Sequence, residues 1–358
     1  MSNKRWKIGL VGVGRGSGYG KLFAEHPDCQ VVACCDASEQ ALAQFQKELG
    51  LADSACFTQY ETFLGMPMDA VFIGTPIPAH ADQTVKAMEA GLHVLSEVTA
   101  AATVEDCRRI VAAVRKAKKI YMFAENCVYW PFVQEWKTMV AAGRIGEVFY
   151  AECEYLHPIR SMIVDPATNA PRWRAHRAPL HYCSHSLGPI LEITGDRIVR
   201  AMGAGQGHRV LPAGGIGGID IQLGLFETRK GALIKLLRSS VAPRHPSMHY
   251  YMLQGTKGFV ETDRLGPRGP GHLYVEGEME TAQTIPLPMI DASLPASARA
   301  GGHGTAEYAL VRDFLHTLDT GRKPDLDEIR AMDLTVPGLV AHESAMRGGI
   351  WLDVPEMT

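Results

Sequence analysis

The segment WKIGLVGVGRGSGYG, residues 6–20, restricts the architecture more than any other stretch of the chain. A short apolar run leads into a turn dense with glycine. The spacing Gly12-x-Gly14-x-x-Ser17, with Gly16 and Gly18 alongside, is that of a strand–turn–helix unit shaped for a pyrophosphate. The first glycine allows the tight turn, the second lets backbone amides approach the phosphates, and the small third position lets the helix pack on the strand. The pattern predicts a helix over Tyr19–Glu25 whose N-terminus faces the anion. Gly12, Gly14, Arg15, Gly16 and Ser17 are the expected contacts of this turn.

The next unit strengthens that expectation. CQVVACC is a strand ending in Asp36, 24 residues after Gly12, where an acid can bind the adenosine ribose hydroxyls. The following residues, Ala37 and Ser38, supply no arginine for a 2′-phosphate, so NAD is expected rather than NADP. The alternative for Asp36 is a helix N-cap. Strand 70–75, helix 80–91, strand 93–97, helix 104–119 and strand 120–126 continue the alternation. Apolar strands alternating with helices imply a parallel sheet covered on both faces, with ligands at the carboxyl ends of its strands. Those ends, and the helix start beside one of them, bring Thr75, Pro76, His80, Glu97, Glu125 and Asn126 into the crevice. Glu97 is expected to accept hydrogen bonds from the ribose hydroxyls near the nicotinamide, and Asn126 to contact the cofactor.

The pattern changes after Asn126. A helix over 131–143 and a strand within 144–157 precede a polar, proline-bearing stretch at 158–180, and a helix is expected over 181–195. Segments 198–206, 219–227, 231–240, 248–254 and 258–263 read as antiparallel strands. Residues 264–304 suggest a long loop with one short strand. Helices follow over 305–321 and 326–349, the latter interrupted at Pro337. The expected fold is α/β: an N-terminal Rossmann dinucleotide-binding domain (1–126), then a substrate-binding and oligomerisation α/β domain (127–358) with a large, mostly antiparallel open sheet. The last helix packs back on the first domain.

Composition narrows the function classes. A net charge of −3 gives no reason to expect nucleic acid as a partner. No apolar run approaches the roughly 20 residues of a membrane helix, so no membrane partner is expected. Eight cysteines with no CxxC spacing, and no signal-peptide pattern, fit reduced buried thiols and a cytoplasmic location. His181-x-x-x-His185 has helical metal-pair spacing, but without HExxH or a third ligand no metal is expected. On a helix His181, Tyr182 and His185 share one face, and an imidazole there can take a hydroxyl proton near neutral pH. His157 and His176 read as loop residues.

Together these features resemble the Gfo/Idh/MocA oxidoreductases over essentially the whole chain. In that family the fifth strand ends in E-K-P, and the lysine assists proton transfer at the substrate hydroxyl. Here the triplet is Glu97-Val98-Thr99. The stretches GVGRGSG (12–18), HVLSEV (93–98), AENCVYW (124–130), AECEYLHPIR (151–160), WR (173–174), HYCSHSLGP (181–189) and GGHGTAEYALVRDF (301–314) are similar to the NAD-dependent family 109 glycoside hydrolases of the α-N-acetylgalactosaminidase type. The resemblance implies a sugar pocket lined by Glu125, Tyr155, Arg174, Tyr182 and His185. His185, Tyr182, Tyr155 and His181 are the candidate catalytic groups, Arg174 serves as the cation that activates a tyrosine, and Glu125 and Arg174 contact the substrate. It further implies a homodimer or homotetramer.

Three activities follow as expectations. The first is NAD-dependent oxidation of a sugar or glycoside. The second is a glycosidase or lyase that uses NAD transiently through oxidation, elimination, water addition and re-reduction. The third is a non-catalytic dinucleotide-binding sensor.

Overall fold

The computed structural model describes residues 5–265, 269–299 and 301–357. The chain divides into two compact units: Met1–Tyr129 with Ile290–Met332 and Met357–Thr358, and Trp130–Met289 with Asp333–Glu356.

The first unit is a six-stranded sheet of β1 (Trp6–Val11), β2 (Cys29–Cys35), β3 (Cys56–Phe57), β4 (Ala70–Ile73), β5 (His93–Ser96) and β6 (Tyr121–Phe123), in the order β3-β2-β1-β4-β5-β6. Every pairing is parallel. This is the doubly wound Rossmann order. The strands are apolar on both faces because helices α1 (Val13–Glu25), α2 (Glu39–Leu49), α3 (Tyr60–Leu64), α4 (His80–Glu89) and α5 (Val104–Ala117) connect them. Ile8, Leu10, Val71, Phe72, Ile73, Val94, Leu95 and Phe123 are fully buried. Each such side chain contributes about 1.5–3 kcal/mol by leaving water.

The second unit carries α6 (Pro131–Ala141), β7 (Val148–Leu156), α7 (Arg160–Ile163), α8 (Ser184–Thr194), β8 (Ile198–Gln206), β9 (Ile221–Thr228), β10 (Leu233–Ser239), β11 (Met248–Gly255), β12 (Gly258–Thr262), β13 (Gly271–Val275) and β14 (Gln283–Ile285). With β15 (Leu352–Asp353) these strands form a nine-stranded sheet, β14-β13-β12-β11-β7-β10-β9-β8-β15. All its pairings are antiparallel except β7 with β10. Burial alternates along β9, β10, β12 and β13, as it must when one face is packed. Helix α8 packs on β7 and β11. Helix α9 (Ala306–Thr320) belongs to the first unit and packs on α1, and α10 (Glu328–Met346) ends the helical set.

The fold class is the one expected, with local differences. Helix α1 begins at Val13, not Tyr19, so the glycine run forms its first turns. Helix α8 begins at Ser184; His181 closes a 3-10 turn over Pro179–His181, and Tyr182 and Cys183 lie between. Helix α10 runs through Pro337 without interruption. Residues 264–304 hold two short strands, β13 and β14, rather than one. The eight cysteines are free thiols, all buried but the half-buried Cys56. No helix among the described residues is long and apolar enough to cross a membrane.

Candidate active site

In the first unit the glycine turn is closed around Gly12. Its φ of 84° lies in the left-handed region, and a Cβ there would stand 2.5 Å from the carbonyl carbon of Gly74 and the amide of Thr75. Only glycine lets the ends of β1 and β4 approach this closely. A Cβ on Gly14, by contrast, would meet nothing within 4 Å, and this exposed position leaves the N-terminus of α1 open to an anion. Gly16 lies behind it, buried against Phe72. The side chains of Arg15 and Ser17 lie outside the described residues.

Asp36 follows β2 half-buried, and its Oδ1 accepts the amide of Ser38 at 2.9 Å. The N-cap of α2 is Ser38. The N-cap alternative for Asp36 therefore falls away, and one carboxylate oxygen is held in place. Thr75 donates its hydroxyl to Gln83 at 2.5 Å, and the exposed Pro76 leads into a 3-10 turn over Ile77–Ala79. His80 is fully buried with both ring nitrogens on backbone carbonyls, Nδ1 with Thr99 at 2.9 Å and Nε2 with Thr75 at 2.8 Å. It ties the loop after β4 to the loop after β5.

Glu97, 5% exposed, accepts the amide of Val98 at 3.1 Å. The buried Val98 side chain offers no proton. Glu125 accepts the amide of Cys127 at 3.1 Å. Asn126 is held by Glu307 of α9, donating Nδ2 at 3.0 Å. Glu307 also receives His303 Nδ1 at 2.5 Å. Burial pushes this carboxyl up, and the imidazole more than offsets it, so the net shift is downward.

The second unit gathers a different chemistry. Sheet register sets Arg238 of β10 beside Tyr155 of β7, and His249 of β11 on its other side. The Arg238 guanidinium sits 4.2 Å over the Tyr155 ring, and His249 stacks on that ring at 3.8 Å between centroids. The Tyr155 hydroxyl bonds His157 Nδ1 at 2.7 Å, so His157 is no bystander of the loop. A second phenol–imidazole pair joins Tyr182 and His185 Nε2 at 3.1 Å. The helical-face argument for this pair fails, since Tyr182 precedes α8, yet the contact exists.

Pro189 explains how His185 is fixed. A residue with an N–H at position 189 would bond the carbonyl of His185, four residues earlier; proline has none. The Tyr251 hydroxyl takes that carbonyl instead, at 2.5 Å, and also meets His249 Nδ1 at 3.2 Å. Gly338 of α10 permits a similarly close approach: a Cβ there would lie 2.2 Å from the carbonyl oxygen of Leu180.

The arginines divide their work. Arg174 stacks on Trp173 at 4.3 Å, while the guanidinium 4.4 Å over the Tyr182 ring belongs to Arg177. Arg238 donates to the carbonyls of Tyr155 (2.8 Å), Tyr182 (3.3 Å) and Ser239. Arg177, Arg238, His249 and Tyr251 were not singled out from the sequence. Their signal is one of parity: along β10, Ile234, Leu236 and Arg238 face the core in alternation, and an arginine at a core-facing position is an anomaly.

His181 stands apart from the Tyr182–His185 pair. Its ring meets His342 edge-on at 4.5 Å, and His342 Nδ1 bonds Gln222 at 3.0 Å. Burial first, then His342 and the Arg177 charge, push the His181 imidazole down to about 3. The unfolded chain's imidazole takes its proton near 6.5. Between these values the unfolded state binds more protons, so stability is intact above about pH 6.5 and declines as pH falls below it. Burial shifts His26 and His342 the same way. We expect His181→Gln to flatten the decline of Tm between pH 6.5 and 4.5. An unchanged slope in calorimetry would remove His181 as a source of acid lability.

Residues 6–125 match the model of the Gfo/Idh/MocA oxidoreductase family, NAD-binding Rossmann fold. This part of the chain is thus similar to the NAD-binding domain of that family. Over nearly its whole length the chain is similar to glycosyl hydrolase family 109 proteins. It is 28% identical to one from Shewanella pealeana, covering 98% of this chain and 85% of that protein, and 28% identical to one from Saccharopolyspora erythraea, covering 98% and 83%. An oxidoreductase domain protein from Kribbella flavida shares the fold with a TM-score of 0.84 at 23% identity, covering 99% of this chain and 100% of that one. Scyllo-inositol dehydrogenase from Lactobacillus casei, solved with NAD(H) and scyllo-inositol, does so with a TM-score of 0.79 at 19% identity, covering 98% and 99%. The tight Gly12 turn and the open Gly14 position have the geometry of a turn that admits a pyrophosphate.

Proposed function

We propose that the protein is an NAD-dependent oxidoreductase acting on a sugar or glycoside at a ring hydroxyl carbon. The first unit holds the cofactor and the second holds the substrate. Gly12, Gly14 and Gly16 admit the pyrophosphate, Asp36 takes the adenosine ribose hydroxyls, and Glu97 and Asn126 serve the nicotinamide half. With no arginine after Asp36, NAD is preferred over NADP. The bound cofactor supplies a hydride acceptor that can also return the hydride.

The observation that carries the reading is the pair of Tyr–His hydrogen bonds, Tyr182 with His185 and Tyr155 with His157. An alcohol carbon gives up hydride more readily once its hydroxyl proton is leaving. His185 Nε2 and the Tyr182 hydroxyl share one hydrogen bond, so a proton taken by one can pass to the other. Arg238, over the Tyr155 ring and 5.7 Å from the Tyr182 ring, stabilises negative charge as it develops on either phenol. Proton transfer thus rests on these pairs, since Val98 replaces the family lysine.

The presence of two pairs rather than one, with the family 109 likeness, favours a second reading: redox-assisted glycoside cleavage. Oxidation at C3 of the sugar acidifies the C2 proton, and Tyr155 or Tyr182 is its proposed acceptor. Loss of that proton expels the aglycone from C1, water adds, and the ring is reduced again.

One assay separates these readings. Nitrophenyl glycosides and free sugars are incubated with protein and NAD while NADH absorbance and nitrophenol release are followed together. Stoichiometric NADH without release is the expected result for the dehydrogenase, and release without net NADH for the glycosidase. Neither signal, with NAD bound, would leave only a dinucleotide sensor and overturn both.

A further inference from the structure

Arg177 is the side chain that the mechanism above does not use. It precedes the Pro179–His181 turn and is 7% exposed. Its guanidinium makes no hydrogen bond and no ion pair among the described residues, and its Nε is fully enclosed. What it does meet are ring faces, Tyr182 at 4.4 Å and Trp173 at 5.9 Å. Stacking of this kind engages the flat face of a guanidinium and leaves its in-plane N–H fork unused. Arg238, the other buried guanidinium of the cluster, differs: its donors are already committed to three backbone carbonyls.

The surroundings sharpen the imbalance. The charged groups that act most strongly on Arg177 are Arg238 and Arg174, both cations, and the remaining partners are the phenols of Tyr182 and Tyr155. Burial, then the Arg238 charge, push the Arg177 guanidinium down to about 9, which still leaves it a cation at neutral pH. A buried cation without a counter-charge is costly to keep, and buried charges are as a rule paired, which makes an anion from a ligand the natural partner here.

We propose that Arg177 receives an anionic substituent of the carbohydrate, so that the substrate is an acidic sugar or its glycoside. The planar fork matches a carboxylate, sulfate or phosphate oxygen pair. The inference rests on the proposed carbohydrate site in the second unit, and names its substrate class.

The test uses the full chain saturated with NAD and isothermal titration with matched ligands: glucuronate and galacturonate against glucose and galactose, then glucose 6-sulfate and glucose 6-phosphate. At least one anionic ligand should bind about 10- to 100-fold more tightly than its neutral counterpart. The arm that shows this preference identifies the substituent. Arg177→Met should erase the preference without lowering Tm, since it removes an unpaired buried charge. Arg177→Lys should retain part of it. Equal or tighter binding of the neutral sugars by the wild type, or no binding of any anionic sugar, overturns the inference; so does a preference that survives in Arg177→Met. If the methionine variant does not fold, the wild-type comparison decides. Turnover of neutral glycosides without anion preference would remove this inference and leave the oxidoreductase reading. Anion preference without NADH or aglycone release would do the reverse.

Discussion

Replacing His185 with alanine is expected to lower turnover by about 100- to 10,000-fold, the range lost when a positioned acid–base group is removed. NAD affinity should stay nearly unchanged. The side chain is 2% exposed, bonds the Tyr182 hydroxyl, and sits on a helix turn whose carbonyl is pinned by Tyr251. Removing the imidazole therefore leaves the backbone held and strips only the proton acceptor. His185→Gln keeps more of the volume, and should be nearly as inactive if proton transfer is the role. The measurements are steady-state turnover on a responsive sugar and calorimetric titration of NAD. Unaltered turnover in both variants would take His185 out of the mechanism.

The second large effect concerns Gly12. A methyl group there would collide with backbone atoms at 2.5 Å, and the residue would still have to hold φ at 84°. The left-handed conformation costs about 1–2 kcal/mol for a side-chain-bearing residue, and displacing the Gly74–Thr75 backbone about 1–3 kcal/mol more. We expect Gly12→Ala to lower Tm by several degrees and to abolish measurable NAD uptake, because the displaced segment is one wall of the dinucleotide turn. Gly14→Ala, which meets nothing within 4 Å, is the control for stability and should leave Tm close to wild type. A Gly12→Ala protein with unchanged Tm and unchanged NAD affinity would contradict the assignment of the turn.

Much of the first unit was legible in the sequence because its strands are short, apolar on both faces and separated by amphipathic helices. That pattern has few alternatives. The start of α1 was not, because glycine is a poor helix former and packing overrides the preference: Gly16 is buried, with Phe72 3.4 Å from where its Cβ would lie. Close packing, not propensity, puts glycine there. Pro337 misled differently: a proline inside a helical pattern suggests a break, yet α10 continues through it.

The candidate site was legible in part. Tyr155, Tyr182 and His185 stand out as chemistry-bearing residues, and the structure brings them together. Their partners Arg238 and His249 come from strands distant in sequence, and only sheet register shows that they flank Tyr155. His157 reads as a loop residue and does follow β7, but two residues along the strand end place it on the same side as Tyr155. Arg174 and Arg177 lie in one basic run, and nothing in that run says which guanidinium covers the Tyr182 ring.

The parallel pairing of β7 with β10 has a consequence for how the protein matures. Arg238 reaches the carbonyl of Tyr155 across 83 residues of chain, and the turn and helix that bear Tyr182 and His185 lie inside that loop. Closing so long an excursion is entropically slow, and nothing within it can present its chemistry until the two strands meet. On the proposed function, we expect competence toward sugars to arise late in assembly, and destabilising this single strand junction to delay it more than to alter the finished protein.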